Sequence, residues 1–211
     1  EQARLYKTPL FFHIGTDEVY GSVVGCNCNE NIGLNPGNPY SASKAASDMF
    51  VCAYANTYDL HYIITRTENN YGSFQHSQKV LPTFIKCALL DIPLPIYGDG
   101  NHSRMWIRVE DHCSAIWHLI DNDASGIFNV GCDYELKNID FARKILRILN
   151  RSEDQIEFID DTKIRPGHDR RYALNCAKIE NLGWRPAYQD FDVSIEEVVK
   201  WYVDNPDWLC I

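Results

Sequence analysis

Apolar residues along this chain come in short blocks separated by polar and turn-forming stretches. Leu10-Phe11-Phe12-His13-Ile14 has the length and character of a buried strand, and Tyr62-Ile63-Ile64-Thr65 is a second such run. Between them, residues 21–39 are rich in turn formers. Residues 40–58 read as a helix, because Ala42, Ala45, Ala46, Met49, Phe50, Ala53 and Tyr54 recur at spacings of three and four. Pro39 sits where proline suits a helix start.

The same reading predicts a helix over 81–90 and a short strand over 94–97 that runs into Gly98-Asp99-Gly100. It predicts a helix over 111–121 with Asp111 as N-cap, a strand over 126–131 and a helix over 139–149. A strand over 156–159 and helices over 176–182 and 194–205 complete the pattern, with Gly183 at a helix C′ position. Strands alternating with helices predict an α/β protein with a parallel sheet. The second half carries more short strands and loops, which suits a small lobe that caps a substrate.

Composition narrows the function classes. The chain has 211 residues, a hydrophobic fraction of 45% and a net charge of −9, with its acidic residues scattered and no basic run. That balance argues against a nucleic-acid partner. No stretch reaches the ~18 consecutive apolar residues of a membrane span. The eight cysteines contain no C-x-x-C pair, and several lie in apolar segments, so reduced structural thiols and a cytoplasmic setting are expected. No histidine shows metal-ligand spacing, and no metal is expected.

Two weak signals carry the chemistry. Thr16-Asp17-Glu18 follows directly on the first predicted strand, where the ligand crevice of an open α/β sheet lies. Adjacent carboxylates there can divide acid and base work: if one is desolvated and repelled by the other, its pKa rises and it keeps its proton. Tyr40 and Lys44 stand at i and i+4 on one helix face. A phenol has an unperturbed pKa of ~10, and a neighbouring ammonium lowers it toward the range of a usable base.

Taken together, Thr16 to Gly21 followed by Tyr40-Ser41-Ala42-Ser43-Lys44 resembles the extended short-chain dehydrogenase/reductase family. Within it, the acidic pair beside the threonine resembles the nucleoside-diphosphate-sugar 4,6-dehydratases. The family's epimerases generally have small residues at those two positions, and its decarboxylases tend to keep only the glutamate. The resemblance continues through Asn69-Asn70-Tyr71-Gly72, the Arg165 to Tyr172 segment and Leu182-Gly183-Trp184-Arg185-Pro186.

The resemblance implies the C-terminal part of an extended Rossmann-like, doubly wound sheet with a small α/β substrate-binding lobe. Residues 1–75 would be the remainder of the NAD-binding domain with the catalytic residues. Residues 76–211 would be mostly substrate lobe, with segments around 94–131 returning to the main sheet. It implies NAD as cofactor, held in this chain by Tyr40, Lys44 and Asn70. Thr16, Asp17, Glu18, Tyr40 and Lys44 would be catalytic. The nucleotide-sugar, with a dTDP-linked glucose favoured, would meet Thr16, Asn69, Lys79, Val80, Pro95, Ile96, Tyr97, Arg104 and Asn138. The loop residues Arg165, Pro166, Gly167, His168 and Asp169 would complete that surface. The implied reaction is oxidation at C4, loss of water across C5 and C6, and return of hydride to C6. A homodimer is expected by analogy.

Some positions depart from the pattern. Gly15 stands where serine is usual, Glu68 where a small polar residue is commoner, Met105 where aspartate follows the arginine, and Arg108 in place of an aromatic residue. The sequence contains no G-x-G-x-x-G or G-x-x-G-x-x-G. The glycine-rich start of the nucleotide-binding half is therefore expected to be missing, with reduced NAD affinity and an exposed apolar edge at residues 10–14. The alternatives are an inactive nucleotide-sugar-binding fragment, or an epimerase or decarboxylase of the same family.

Overall fold

A computed structural model of the chain describes residues 1–23, 25–162 and 169–210. Its regular elements are α1 (Gln2–Leu5), β1 (Phe11–Ile14), α2 (Pro39–Tyr58), β2 (Tyr62–Thr67), β3 (Asn69–Tyr71) and α3 (Val80–Leu89). They continue with β4 (Leu94–Tyr97), β5 (Ser103–Arg108), α4 (Val109–Asp121), β6 (Gly126–Val130) and β7 (Glu135–Lys137). The last are α5 (Asn138–Ile148), β8 (Ile156–Ile159), α6 (Ala177–Asn181) and α7 (Phe191–Asp204). The helix that carries Tyr40 is defined by local chemistry at both ends. Asn38 and Ser41 exchange hydrogen bonds in a capping box ahead of Pro39, and Asp59 closes the helix in the left-handed region at φ 55°.

β1, β2 and β6 form a parallel sheet in the order β1-β2-β6, with Phe12 opposite Ile63 and Ile64 opposite Ile127. β1 is an edge of this sheet among the described residues, and Ile14 at its end is exposed. A second sheet, β3-β5-β7, joins β3 to β5 in parallel and β7 to β5 antiparallel. β4 and β8 pair in parallel as a third, two-stranded unit. The largest core packs Leu81, Phe84 and Ile85 of α3 against Phe141 and Ile145 of α5 and Ile195, Val199 and Tyr202 of α7. A smaller core joins Ile63, Ile107, Leu119 and Phe128 with Trp184.

Three strands depart from the expected pattern. β3 and β7 are three-residue, largely polar strands; β5 is six residues long and sets buried Met105, Trp106 and Ile107 between Arg104 and Arg108, which are buried as well. Each arginine is satisfied in place. Arg108 pairs with Glu110 and Glu197, and Arg104 donates to the carbonyls of Ser103 and Asp169. Asp111 also departs from expectation, because α4 begins two residues earlier and its N-cap position is Arg108. The Asp111 carboxylate is buried and accepts from the backbone N–H groups of Ala187 and Tyr188, at 2.7 and 3.1 Å. It anchors a distant loop instead of its own helix. Gly183 adopts φ 94° immediately after α6, as expected.

A buried polar chain ties α2 to the sheet. Asp48 of α2 accepts from Arg66 Nε of β2 at 2.9 Å, and Arg66 Nη1 donates to Tyr20 Oη at 2.9 Å. Tyr20 in turn donates to Asn129 Oδ1 on β6 at 2.9 Å, while Asn129 Nδ2 reaches the carbonyls of Cys28 and Asn175. Removing one member of a buried ion pair leaves the other uncompensated. We expect Asp48→Ala to lower stability by about 3–5 kcal/mol, read as a shift in the urea midpoint. A loss under about 1 kcal/mol would show that the pair is not structural.

Candidate active site

β1 ends at Ile14, and the chain then passes so close to β2 that Gly15 donates its N–H to the Thr65 carbonyl at 2.6 Å. A Cβ at Gly15 would stand 2.7 Å from that carbonyl oxygen, which accounts physically for glycine at this position. Thr16 then caps a short 3-10 turn, Asp17–Tyr20, with Oγ1 accepting from the Glu18 N–H at 3.3 Å. The turn sends the two carboxylates in different directions.

Asp17 is buried at 3% exposure. Thr16 Oγ1 donates to its Oδ1 at 3.3 Å, and its Oδ2 is buried without a hydrogen-bond partner among the described residues. Burial, followed by the charge of Glu18, raises its carboxyl from 3.8 to about 7, with Arg104 pulling the other way. Glu18 is half-buried on the wall of a cavity, where its Oε2 accepts from the Tyr172 hydroxyl at 3.3 Å. The same hydroxyl lies 2.6 Å from Asp169 Oδ2, so its single proton is shared between two carboxylates with Asp169 the nearer, and Arg104 stacks on the Tyr172 ring with the guanidinium carbon 4.3 Å from the centroid.

Tyr40 stands at the start of α2 with 54% of its surface exposed, on the same cavity wall. Its phenol is pushed up by partial burial and then by Glu18 and Asp17. The expected lowering by Lys44 is thus not seen in the chain by itself. The reason lies in where the ammonium goes: Lys44 Nζ donates to the Ile14 carbonyl at 2.9 Å, at the carboxyl end of β1.

The cavity has a volume of about 730 Å³, well within the range of small-molecule sites. It brings together Glu18, Tyr40, Asn69, Lys79, Val80, Pro95, Ile96, Tyr97, Arg104 and Asn138 from the residues singled out in the sequence. Thr16, Asp17, Lys44, Asn70 and Asp169 are not on its wall. The first three sit behind or beside it, through the contacts given above. Asp169 is buried at the end of the Tyr172 hydroxyl. The Asn70 amide is turned to Thr67, the Glu68 carbonyl and His112. Arg165, Pro166, Gly167 and His168 lie outside the described residues.

The wall also includes Asn38, Gln78, Thr83, Phe84, Trp106 and Tyr172, none of which was expected as a site residue. Tyr172 had a visible signal at the end of the Arg165 to Tyr172 segment. The others come from a helix cap, a loop and apolar positions that read as ordinary core. Glu68 is not on the cavity wall. Its side chain is buried, accepts from the Cys132 N–H at 2.9 Å, and lies where a Cβ on Gly131 would fall 2.1 Å from its carboxyl carbon. Burial raises this carboxyl well above the usual carboxylate range.

The family profile described as GDP-mannose 4,6 dehydratase matches residues 1–200. Low-salt glycan biosynthesis protein Agl12 of Haloferax volcanii is 43% identical over 93% of this chain and 63% of its own length. dTDP-glucose 4,6-dehydratase of Xanthomonas campestris is 41% identical over 94% of this chain and 59% of its own length. Among solved structures, DesIV, a dTDP-glucose 4,6-dehydratase of Streptomyces venezuelae with NAD and TYD bound, superposes with a TM-score of 0.93 at 38% identity. It covers 98% of this chain and 63% of the DesIV chain. The chain thus spans roughly 60% of the length of the relatives it matches. Match, cavity and acidic pair agree: the chain belongs to the GDP-mannose 4,6-dehydratase family.

Proposed function

We propose that this chain carries the reacting groups of an NAD-dependent nucleoside-diphosphate-hexose 4,6-dehydratase that takes dTDP-glucose to its 4-keto-6-deoxy product. The observation that carries the reading is the division between the two carboxylates. A buried Asp17 holds its proton near neutrality while Glu18 stands half-exposed on the cavity wall beside Tyr40. An epimerase has no water to eliminate and no use for such a pair.

The residues present fit the reacting end of NAD. A phenol and an ammonium stand at the carboxyl edge of a parallel sheet, and Lys44 uses one of its three N–H donors on Ile14. When bound, NAD accepts a hydride and returns it. Tyr40, with Lys44 offsetting negative charge, takes the proton of the C4 hydroxyl. By the family resemblance Thr16 is assigned to the C4 oxygen and Asp17 to the proton with which the C6 hydroxyl leaves as water; both stand behind the wall in this chain and would have to turn toward the cavity to do so. Glu18, on the wall beside the Tyr172 hydroxyl, removes the C5 proton, which a C4 ketone acidifies, and gives a proton back to C5 when hydride returns to C6.

The rest of the cavity suits the nucleotide. Pro95, Ile96 and Tyr97 of β4, with Phe84 and Trp106, offer an apolar wall to a base. Lys79 and Arg104 supply positive charge for a diphosphate, and Asn138 adds an amide. We read residues 1–75 together with β6 as the nucleotide-binding sheet and most of the remainder as the substrate lobe. The exposed Met49 and Phe50 of α2, and Trp117 of α4, support a homodimer. The free state of all eight cysteines supports a cytoplasmic setting. No helix among the described residues is long and apolar enough to cross a membrane.

Two measurements test this. In the full-length protein, Glu18→Gln should lower NAD-dependent formation of the 4-keto-6-deoxy product from dTDP-glucose by roughly a hundred- to ten-thousand-fold. Product would be followed by its ultraviolet absorbance in alkali. Full activity in that variant overturns the base assignment, and a product inverted at C4 with no loss of water overturns the reaction. The second concerns Asp17, which is protonated in the native state and ionised in the unfolded chain between about pH 4 and 7. Stability should therefore fall as pH rises through that window, by up to about 1.4 kcal/mol per pH unit. Asp17→Asn should flatten this slope in urea unfolding series; equal slopes in both proteins would show that Asp17 titrates normally.

A further inference from the structure

Tyr172 carries its hydroxyl between two carboxylates, with Asp169 Oδ2 at 2.6 Å and Glu18 Oε2 at 3.3 Å. A phenol has one proton to give. The shorter contact marks Asp169 as its principal acceptor, and with the proton there the phenolic oxygen is left as an acceptor facing Glu18. The longer contact is completed when Glu18 itself carries a proton. Burial, the bond to Asp169 and the charge of Glu18 all raise the phenol above its ordinary value. The group therefore stays neutral, and it takes a proton only by giving one up. Arg104 holds the assembly in place, with its guanidinium carbon 4.3 Å from the centre of the Tyr172 ring and its Nη2 donating to the Asp169 carbonyl at 2.9 Å.

The two ends of this bridge lie in different surroundings. Glu18 and Tyr172 are on the cavity wall, and Tyr172 is the hydrogen-bond partner of the Glu18 side chain among the described residues. A hexose seated against Glu18 covers that carboxylate from the cavity side and leaves the phenol as its neighbour. Asp169 is off the wall and keeps 9% of its surface exposed. Its Oδ1 lies against exposed Gly37, where a Cβ would fall 2.7 Å from that oxygen. The bridge thus begins at the site and ends near the surface, beside the segment that leads into α2.

We propose that Tyr172 and Asp169 form a proton relay that exchanges the proton held by Glu18 with solvent while substrate occupies the cavity. The proposal rests on the dehydratase reading, in which Glu18 removes the C5 proton. When the C5–H bond breaks, its electron pair moves into the sugar and expels the C6 hydroxyl, and Glu18 becomes a carboxylic acid. Glu18 then passes its proton to the Tyr172 oxygen as Tyr172 passes its own to Asp169. Glu18 is again a carboxylate, Tyr172 is again neutral, and Asp169 exchanges its proton with water. The same steps in reverse deliver a solvent proton to Glu18, and from there to C5 when hydride returns to C6.

The test is a single turnover of unlabelled dTDP-glucose by the full-length holoenzyme in deuterium oxide. Borohydride at the quench stops later exchange beside the ketone, and deuterium at C5 is read by NMR. The parent should place deuterium at C5 in most product molecules. Tyr172→Phe and Asp169→Asn each remove one carrier and should lower that fraction by at least about fivefold. Asparagine keeps an acceptor for the phenol but cannot take its proton. Thermal unfolding shows which variants fold, and the Asn variant decides the matter if the Phe variant does not. Both should still make product, because Glu18 can return the proton it took; a folded variant that makes none overturns the relay as a side path to the chemistry. Product from the parent that keeps its original hydrogen at C5 overturns the relay, as does equal deuterium in parent and variants. In those two cases the 4-keto-6-deoxy sugar still forms and the dehydratase reading stands. Absence of that sugar from the parent reaction overturns the reading and the relay with it.

Discussion

Arg66 enters the interior with its charge intact because Asp48 meets it there at 2.9 Å. Everything near the candidate site is referred to that pair. Asp48 belongs to the helix that presents Tyr40 and Lys44, and Arg66 to the strand whose Thr65 carbonyl meets Gly15 just ahead of the acidic pair. Through Tyr20 and Asn129 the same chain of bonds fixes the end of the turn that holds Asp17 and Glu18, and the edge of β6. An apolar contact would let α2 slide along the sheet by small steps. A charge pair with directed N–H bonds does not, because each step would strand a buried ion.

The acidic pair works against this rigid frame. Asp17 and Glu18 are neighbours in sequence, yet a single 3-10 turn capped by Thr16 gives one the interior and the other the cavity. The raised proton affinity of Asp17 follows from its placement more than from the residue itself. Arg104 limits the shift without cancelling it, since its guanidinium is engaged with backbone carbonyls and the Tyr172 ring. The three groups form a balance of burial against charge, which is what acid and base work near neutrality needs.

Much of this was legible in the sequence, for identifiable reasons. β2 is apolar because it lies between β1 and β6, β1 reads as apolar although it is an edge among the described residues with none of its residues fully buried, and α2 announces itself by Pro39 and its periodic alanines. The cavity wall was legible only through the family resemblance, since Pro95 to Tyr97 or Asn138 carry no local signal of ligand contact. β5 escaped because two buried arginines break the hydrophobic pattern, and only tertiary partners make them tolerable there. Asp111 looked like a cap because capping and long-range anchoring use the same residue type; the difference is which N–H groups happen to lie within reach. The direction of Lys44 could not be read from its i+4 spacing to Tyr40, because a flexible four-carbon stem takes whichever acceptor the fold places nearest.

Glu68 and Gly131 face one another with no room for a further carbon atom between them. The two positions are therefore coupled in space. A side chain at 131 would have to turn the Glu68 carboxyl aside, and with it the bond that this carboxyl makes to the Cys132 N–H. Because the atoms in the way are the end of a long, flexible side chain, the cost falls on that buried bond more than on the backbone. A change at either site is thus best judged together with the other.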